Sequence, residues 1–438
     1  MTNKNELFEA LKDWNFWEKD LNTGISRKKY TKRLGELVQT SQVVVVTGPR
    51  RSGKSYILRQ FAKRLIESGT PRNQILTINF EDPRLPVIDA KGLEEVYKLY
   101  LEFKGPQDKP YLLLDEIQEV EGWEKWVRTM HDLDKAHLVI SGSNAKLLSK
   151  ELATLLSGQH IDLNVFLLSF SEFMAFNGLT IVDENDAARN EIAIKNFFRR
   201  YLEEGGYPEV TLSLQKKEIL LAYFDDIINK DLIRRYHIRK GESLLSLARF
   251  LLSQSASMVT HSSSARFLGI TTGTAEKFAG YLDTAFLISF LKRFSFKVKE
   301  QEKSPRKVYS IDTGLANAVG FRFSENLGRL AENIVFRELM KRKVLDPGLE
   351  LFFWKDTHHR EVDFVVKDIE GVKELIQVSW DLNNYPQTKG REFRSLFLAM
   401  EKLKCNNALI ITEDQETVET INGKTIKIQP LWKWLLAV

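Results

Sequence analysis

The chain has 438 residues, of which 43% are hydrophobic and 28% charged, and its 64 Lys and Arg against 59 Asp and Glu leave a net charge of +5. This length excludes one small fold, because a single core rarely grows beyond about 250–300 residues. The globular composition also excludes a disordered chain and a membrane protein, since a spanning helix needs about 20 apolar residues. Cys405 is the single cysteine, which excludes an intrachain disulfide and a cysteine-based zinc site; with no apolar stretch behind a basic head, we expect a cytoplasmic protein.

The sequence pattern of the first 165 residues changes once, at about residue 39. Residues 1–38 are polar with a helical pattern and end in the basic stretch Arg27–Arg33. From 39 to 165, amphipathic stretches alternate with short apolar runs, which are Val43–Thr47, Ile75–Phe80, Tyr111–Asp115 and His137–Ser141. Continuous apolar strands that alternate with helices are typical of a parallel sheet covered on both faces. We therefore predict an N-terminal helical segment followed by an α/β core.

The rest of the chain divides into three further patterns. Residues 166–240 lack strand-like runs and predict a helical subdomain. Residues 241–320 show three short helical patterns and then apolar alternation, which predicts a helix-turn-helix with a β-wing. Residues 321–438 begin with a helix, Leu327–Lys343, and continue with four strand candidates and an amphipathic helix. This last stretch predicts a second α/β unit.

Residues 48–55 read Gly-Pro-Arg-Arg-Ser-Gly-Lys-Ser and match the phosphate-loop pattern G-x-x-x-x-G-K-[ST], between a buried strand and an amphipathic helix. The glycines let backbone N–H groups point at phosphate oxygens, and the helix start adds its positive end. Lys54 is expected on the β- and γ-phosphates and Ser55 on Mg²⁺. The predicted nucleotide-binding residues are Gly48, Pro49, Arg50, Arg51, Ser52, Gly53, Lys54, Ser55 and Tyr56.

The third apolar run ends in Asp115, and Glu116 follows it directly. The carboxyl end of this strand would lie beside the phosphate site. We expect Asp115 to hold the Mg²⁺ shell and Glu116, together with Lys54, to be catalytic, with Glu116 accepting a proton from the attacking water. After the next strand, Ser143 or Asn144 is expected to contact the γ-phosphate or the water. An ordinary turn is the alternative for these last two residues.

The motifs RRSGKS, INFEDPR, LLLDEIQEV, SGSNAKLLS, SFSEF and GGYPEV occur in this order. Together they resemble a prokaryotic AAA-type ATPase family, whose members join an AAA-like domain to a C-terminal domain of uncharacterised function. The resemblance covers nearly the whole chain from about Lys32. It implies ATP binding and hydrolysis at 39–165, a helical lid at 166–240, a winged helix at 241–320 and a nuclease-like fold at 321–438. It implies no cellular role.

One position departs from that family, whose members usually carry Gly-Arg before the SFSEF-like segment. This chain has Gly158-Gln159, and Gln159 cannot supply an arginine's charge to a γ-phosphate in cis or in trans. Four other arginines are candidates to supply this charge, namely Arg84, Arg128, Arg234 and Arg235. The departure lowers the expectation of fast hydrolysis but leaves nucleotide binding untouched.

The segment 261–286 predicts a helix, a turn at Gly269 and a second helix from Thr272, which is the arrangement that DNA-reading proteins use. The following stretch, Lys292–Lys307, holds seven Lys and Arg against two Glu and predicts a basic wing that contacts phosphates in a salt-dependent way. The second helix itself is not basic, so a purely structural role stays open. The predicted DNA contacts are Thr274, Lys277, Lys297, Lys299, Arg306 and Lys307.

The C-terminal pattern resembles the PD-(D/E)XK nuclease fold, with Glu332 on a helix and Asp363 on a strand. In that fold the next strand carries an acid and a lysine, but here the two positions hold Gln377 and Ser379. A hard divalent ion prefers several charged oxygen ligands. We therefore predict a degenerate, inactive domain, unless a migrated lysine (Lys355 or Lys389) and an additional acid (Glu361 or Asp381) restore the site.

The sequence thus predicts a Mg²⁺-dependent ATPase whose nucleotide state moves a winged-helix and nuclease-like module, acting on DNA through its backbone. One alternative is a nucleotide-gated switch for DNA or a protein partner with little turnover, and a weaker one is an ATP-dependent nuclease. No membrane partner is expected, and assembly into a homo-oligomer stays open by analogy with AAA rings.

Overall fold

The computed structural model describes residues 4–85, 89–142, 158–320, 327–382, 386–421 and 423–436. The chain divides into two compact units, Met1–Phe166 and Leu167–Val438. Within the described ranges, no helix is both long and apolar enough to cross a membrane. Each unit is described by itself.

The first unit is a parallel sheet covered by helices. Its strands are β1 Val43–Thr47, β2 Ile75–Asn79, β3 Tyr111–Asp115, β4 His137–Gly142 and β5 His160–Asn164, and its helices are α1 Lys4–Lys12, α2 Lys28–Val38, α3 Lys54–Glu67, α4 Ala90–Lys104 and α5 Trp123–Asp132. Short 3₁₀ turns cover Arg72–Gln74 and Ile117–Glu119. The strand order is β2-β3-β4-β1-β5 and every neighbouring pair is parallel, which confirms the predicted α/β core.

Burial on both faces explains why β1 reads as an unbroken run of valines. Val43 and Val45 face one hydrophobic cluster, and Val44 and Val46 face the other, because successive strand side chains point to opposite faces. The central strands β1, β4 and β3 end at one edge of the sheet. This edge is where the loop after β1 and the acidic pair after β3 meet.

The N-terminal segment is part of the first unit rather than a separate domain. Its residues Phe8 and Leu11 are buried in the same cluster as the sheet. Asn15 pairs with edge strand β2 as a neighbouring strand would, accepting from the Thr77 N–H at 2.7 Å and donating to the Thr77 carbonyl at 2.9 Å. Trp17 donates to the Ile75 carbonyl at 2.9 Å. These bonds cover an otherwise exposed strand edge.

The second unit has more elements. Its helices are α6 Phe170–Phe176, α7 Glu184–Arg189, α8 Glu191–Glu204, α9 Pro208–Leu212, α10 Lys216–Asp226, α11 Gly241–Ser253, α12 His261–Leu268, α13 Thr272–Thr284, α14 Val298–Lys303, α15 Thr313–Val319, α16 Leu327–Leu345, α17 Pro386–Leu403 and α18 Leu431–Leu436, with a π-helix at Ile227–Arg234. Its strands are β6 Ser257–Val259, β7 Ile288–Arg293, β8 Arg306–Ser310, β9 Glu350–Lys355, β10 Glu361–Asp368, β11 Gly371–Val378, β12 Ala408–Thr412, β13 Thr417–Ile421 and β14 Lys424–Pro430.

One sheet runs through the second unit, in the order β13-β14-β12-β11-β10-β9-β7-β8-β6. Strand β7 pairs in parallel with β9, with Lys292 opposite Phe352 and Arg293 opposite Phe353. The strands predicted to form a wing are therefore built into the same sheet as the C-terminal strands. Strands from both sides of the predicted boundary at residue 320 thus belong to one sheet, and the sequence pattern of β7 and β8 does not reveal which strands they pair with.

The predicted lid, residues 166–240, has no core of its own. Phe170 and Phe198 pack in a cluster with Phe353 and Phe364 of the C-terminal strands. The later part, from Tyr207 on, packs in a different cluster with the helices and strands between 244 and 315. The helical prediction is correct, but its two halves belong to different cores of one compact unit.

Candidate nucleotide-binding site

The loop after β1 has the backbone that a phosphate site needs. Gly48 adopts φ 151°, and a Cβ atom there would lie 2.1 Å from the Val165 carbonyl oxygen, so only glycine fits. Gly53 adopts φ 96° and directly precedes the first residue of α3, Lys54. Left-handed glycines on both sides of the loop turn its N–H groups inward, and the start of α3 adds the positive end of its dipole.

The Lys54 ammonium is buried in the mouth of this loop. It donates to the carbonyl oxygens of Gly48 and Pro49, at 3.2 Å each, and its Nζ lies 3.9 Å from Glu116 Oε1. A buried cation satisfied mainly by neutral carbonyls is well placed to bind an anion, because a phosphate oxygen gives a stronger, charge-assisted bond. Lys54 thus lies at the loop, and its contact with the β- and γ-phosphates stays a prediction.

Arg27 is a contributor that the sequence reasoning missed. Its buried guanidinium donates to the Ser52 carbonyl and to the Phe166 carbonyl, each at 3.0 Å, and it stacks on the Tyr30 ring. It thus joins the phosphate loop to the last residue of the first unit. In the sequence, Arg27 looks like the first member of a solvated basic stretch, and its spacing alone does not separate it from its neighbours.

The remaining predicted loop residues divide by exposure. Arg50 pairs with Glu81 at 3.0 Å. Arg51 is exposed and has a left-handed backbone, φ 63°. The Tyr56 side chain, 45% exposed, lies against Gly24, where a Cβ atom would be 3.0 Å from the ring.

The acidic pair lies beside the loop, and β4 adds a residue to it. Buried Asp115 accepts hydrogen bonds from the hydroxyls of Ser141 and Ser55. Burial, and next the charge of Glu116, raise the pKa of Asp115 to about 6, although both hydroxyls lower it in part. Ser141 was not among the predicted residues, since it lies inside the apolar run of β4.

Glu116 begins the turn after β3 with a left-handed backbone, φ 54° and ψ 46°. Its N–H lies 3.4 Å from Ser141 Oγ, and its carboxylate Oε2 accepts from Gln118 Nε2 at 2.6 Å. The turn thus directs the Glu116 carboxylate toward Lys54, as expected for a base beside the phosphates. Ser143 and Asn144, predicted to contact the γ-phosphate, lie outside the described residues, and their roles stay predictions.

These residues fit a nucleoside triphosphate with Mg²⁺. The buried hydroxyl of Ser52 has no hydrogen-bond partner among the described residues. The loop around it leaves no room for a Cβ atom at Gly48. Ser55 and Asp115 are hard oxygen donors, and a divalent cation would offset the repulsion between Asp115 and Glu116. The described part of the chain holds no group of three or more His, Cys, Asp or Glu suited to a metal ion. Ser55 and Asp115 would supply two of the oxygen ligands of an octahedral Mg²⁺ ion, which in such sites also binds phosphate oxygens and water.

Gln159 lies at the far end of the sheet from this site. Its carbonyl accepts from the N–H of Val43, where β1 begins. The five residues from there to Gly48 span roughly 16 Å of strand. A side chain at 159 therefore cannot reach a γ-phosphate bound by the loop of its own chain.

Two of the substitute arginines also have fixed partners in the first unit. Arg84 is bound to Asp82 and Asp13 at 2.7 and 2.8 Å, and Arg128 lies on α5 beside Asp132. Arg234 and Arg235 belong to the second unit, at the end of the π-helix and just after it.

The predicted DNA-contact residues lie on three elements of the second unit. Thr274 and Lys277 are on α13, which Thr271 caps by accepting from the Thr274 N–H at 3.2 Å. Lys297 and Lys299 are exposed at the start of α14, and the Lys297 ammonium is 3.3 Å from Glu300. Arg306 begins β8 and pairs with Glu302 at 3.3 Å.

Lys307 was predicted to be a surface cation, and this prediction is wrong. Its side chain is buried, and Nζ lies 2.9 Å from Glu332, 2.7 Å from Glu361 and 2.8 Å from Asp363. Tyr309 also donates to Glu332, at 2.7 Å. Strand β8 lies inside the long sheet and is buried from residue 307 to residue 310, so Lys307 faces a core instead of solvent.

The two acids predicted to form the degenerate nuclease site thus surround a lysine of the protein itself. Burial alone would lower the pKa of Lys307, but the carboxylates of Asp363, Glu332 and Glu361 outweigh it and raise that pKa. Burial, and next the charge of Asp363, raise the pKa of Glu332.

The neighbouring positions supply little further charge. Gln377 accepts from the Asp363 N–H at 3.2 Å. Lys355 pairs with Glu361 at 3.2 Å, whereas Lys389 pairs with Glu419 at 2.6 Å. Of the two lysines considered as migrated, Lys355 therefore pairs with an acid of this cluster, whereas Lys389 pairs with an acid of β13.

Residues 40–174 match the model of an AAA domain, and residues 195–327 and 327–434 match two domains of unknown function, DUF8612 and DUF4143. The uncharacterised protein MJ1544 of Methanocaldococcus jannaschii is 34% identical over 410 residues, covering 90% of this chain and 88% of that protein. An uncharacterised protein of Haemophilus influenzae is 32% identical over 367 residues, covering 82% and 87%. Among solved structures, the Walker-type ATPase PABY2304 of Pyrococcus abyssi is similar with a TM-score of 0.45 and 14% identity, covering 70% of this chain and 99% of that one.

Proposed function

Because the chain belongs to the family of the Methanocaldococcus jannaschii and Haemophilus influenzae proteins and carries an AAA domain at residues 40–174, we propose that it binds ATP with Mg²⁺ and hydrolyses it. One observation carries the proposal. The Lys54 ammonium lies 3.9 Å from the Glu116 carboxylate, and the adjacent Asp115 takes hydrogen bonds from Ser55 and Ser141. A cation, a base and a magnesium ligand thus meet at one sheet edge.

Each residue has a separate task in this proposal. The loop N–H groups and Lys54 bind the β- and γ-phosphates, while Ser55 and Asp115 hold the metal ion. Bound Mg²⁺ supplies positive charge against the phosphate oxygens. Glu116 takes the proton of the attacking water, and Ser141 keeps Asp115 in position.

The test is phosphate release combined with ATP binding, on the full chain. Glu116→Gln keeps the shape of the base and removes its charge, so we expect ATP binding to persist and turnover to fall at least about a hundredfold. Lys54→Ala is expected to weaken ATP binding itself. Turnover by Glu116→Gln at the wild-type rate refutes the base assignment, and unchanged affinity in Lys54→Ala refutes the phosphate site. Tight ATP binding by the wild-type chain without phosphate release would favour the nucleotide-gated switch.

We propose that α12, α13 and strands β6–β8 form a winged helix that contacts the DNA backbone. The exposed lysines Lys277, Lys297 and Lys299 support this, although Glu300 and Glu302 offset part of the charge at the tip. With Lys307 buried, Thr274 and Arg306 complete the set of proposed contacts. The nucleotide signal would pass along the segment 164–166, where the Val165 N–H donates to the Thr47 carbonyl at 2.7 Å and Arg27 links the Phe166 carbonyl to that of Ser52.

Phosphate release with and without duplex DNA at two salt concentrations tests this second proposal. We expect DNA to change the rate, and the effect to shrink at higher salt, because backbone binding releases counterions. Lys297→Ala with Lys299→Ala should reduce the effect, whereas Lys217→Ala, at an exposed position on α10 outside the basic stretch, serves as a control. A rate that DNA never changes, at either salt concentration, would contradict DNA coupling.

The C-terminal module is proposed to be structural. An internal lysine supplies positive charge to Glu332, Glu361 and Asp363, and Gln377 and Ser379 provide neither an anion nor a cation. We therefore expect no nicking of plasmid DNA with Mg²⁺ or Mn²⁺. Cleavage that Asp363→Asn abolishes would overturn this.

A further inference from the structure

The side chain of Gln118 contacts the residue to which we assign the role of base. Gln118 lies in the 3₁₀ turn Ile117–Glu119, which directly follows Glu116. Because Glu116 has a left-handed backbone, the chain reverses sharply and brings the two side chains together. Gln118 Nε2 donates to Glu116 Oε2 at 2.6 Å, a short bond to a group that is acceptor-only when ionised. The carboxylate is therefore held at one oxygen.

The other end of the same amide is unsatisfied. Gln118 Oε1 is buried, and no described residue donates a hydrogen bond to it. A carbonyl oxygen can accept two bonds, and buried polar groups without a partner are rare in native proteins and call for an explanation. Since the two ends of one amide are adjacent, this acceptor lies next to the Glu116 carboxylate. A donor that reaches this oxygen would lie beside the Glu116 carboxylate.

We propose that Gln118 is a water-orienting residue for ATP hydrolysis, its Nε2 fixing Glu116 and its Oε1 accepting one hydrogen of the attacking water. The inference rests on the proposed ATPase function and adds a residue to it. The other hydrogen of the water passes to Glu116 as a proton. The water oxygen forms a bond to the γ-phosphorus, the bond from this phosphorus to the β,γ-bridging oxygen breaks, and ADP leaves with that electron pair.

This geometry separates binding from chemistry. Gln118 contacts the base, whereas the loop residues and Lys54 hold the phosphates. Loss of the amide should therefore reduce kcat without weakening ATP binding. A residue that only supports the fold would instead lower affinity, kcat and thermal stability together.

The test compares Gln118→Met, which has a similar length and no hydrogen-bonding end, with Glu119→Gln in the same turn, which is exposed. We expect kcat of Gln118→Met to fall about tenfold to a hundredfold, with the ATP Kd within about twofold of wild type. Gln118→Asn keeps the amide but is too short to reach both groups, so it should also lose at least about fivefold in kcat. Glu119→Gln should match the wild type.

A double-mutant cycle separates the possible failures. In a Glu116→Gln background, Gln118→Met should cause no further loss of the residual rate, because both residues act on one water. If Gln118→Met or Gln118→Asn turns over at the wild-type rate, the inference is wrong while the ATPase proposal stands. If the wild-type chain releases no phosphate, or Glu116→Gln leaves its rate unchanged, the proposed function itself fails. If Gln118→Met does not fold, Gln118→Asn decides the matter alone.

Discussion

Replacing Lys307 by methionine removes one ammonium from a buried group of carboxylates. Lys307 Nζ lies within 2.9 Å of an oxygen of each of Glu332, Glu361 and Asp363, and its side chain is 3% exposed. Methionine keeps most of the side-chain volume, so the change is mainly one of charge. The carboxylates then face one another without their shared cation, although Lys355 still pairs with Glu361.

The expected loss follows from the cost of an uncompensated buried charge. Removing one partner of a buried ion pair destabilises a protein by about 3–5 kcal/mol. For a unit the size of Leu167–Val438, 1 kcal/mol corresponds to roughly 2–4 °C in Tm, so we expect a decrease of about 6–20 °C in the transition of that unit. Asp363→Asn added to Lys307→Met should recover part of the loss, since fewer charges are left unpaired.

The loss should also depend on pH. The pKa of Glu332 is raised in the folded chain, so that carboxyl contributes stability at low pH, which is lost as the pH rises through the folded pKa. Without Lys307 the pKa of Glu332 in the folded chain rises further, and protonation of Glu332 can then relieve its repulsion with the other carboxylates. We expect Lys307→Met to cost less stability at about pH 5.5 than at about pH 8.

Calorimetric unfolding of the full chain measures both effects, and added ATP with Mg²⁺ identifies the transition of the first unit because a ligand stabilises the part that binds it. Lys303→Met, at an exposed position on α14, is the matched control and should move Tm by about 1 °C or less. A Lys307→Met chain that unfolds at the wild-type temperature at both pH values would refute the reasoning.

Three further predictions concern the first unit. The affinity for ATP with Mg²⁺ should fall as the pH drops through about 6, because protons compete with the cation at Asp115. The affinity for ATP without Mg²⁺ should change less, and titrations at several pH values compare the two. Arg27→Gln should lower the Tm of the first unit and weaken ATP binding, since the bonds to the carbonyls of Ser52 and Phe166 are lost, and equal affinity in both chains would contradict that role. Gly48→Ala should abolish ATP binding, because the new Cβ atom would lie 2.1 Å from a carbonyl oxygen; retained binding, measured with a fluorescent ATP analogue, would contradict the close fit.

The nucleotide site could be predicted from sequence because its parts are local. The loop 48–55 and the pair Asp115-Glu116 each lie within a few residues of a buried strand, and parallel strands deliver their ends to one edge. The contributions of Arg27 and Ser141 could not be predicted in this way. Each acts on the site through tertiary contacts, and neither belongs to a pattern of residues that marks it.

In the basic stretch 292–307, the prediction from sequence is wrong at Lys307. Counting charges predicts a solvated wing, but the count does not tell which side chains face the core of a sheet. Lys307 is buried on β8, and its carboxylate partners come from residues 25 to 56 positions later in the chain. The sequence reveals the three acids and the lysine separately. They come together because β8 and β10 lie in one sheet, joined through β7 and β9, and because the helix α16 places Glu332 beside them.

The central claim is that ATP and Mg²⁺ bind together in the loop between β1 and α3. Isothermal titration of ATP into the wild-type chain and into Lys54→Ala, each with and without Mg²⁺, tests it most directly. The account predicts saturable binding of one ATP per chain, stronger with Mg²⁺ and weakened at least about tenfold by Lys54→Ala. A correctly folded wild-type chain that takes up no ATP, or a Lys54→Ala chain with the same affinity, would contradict it.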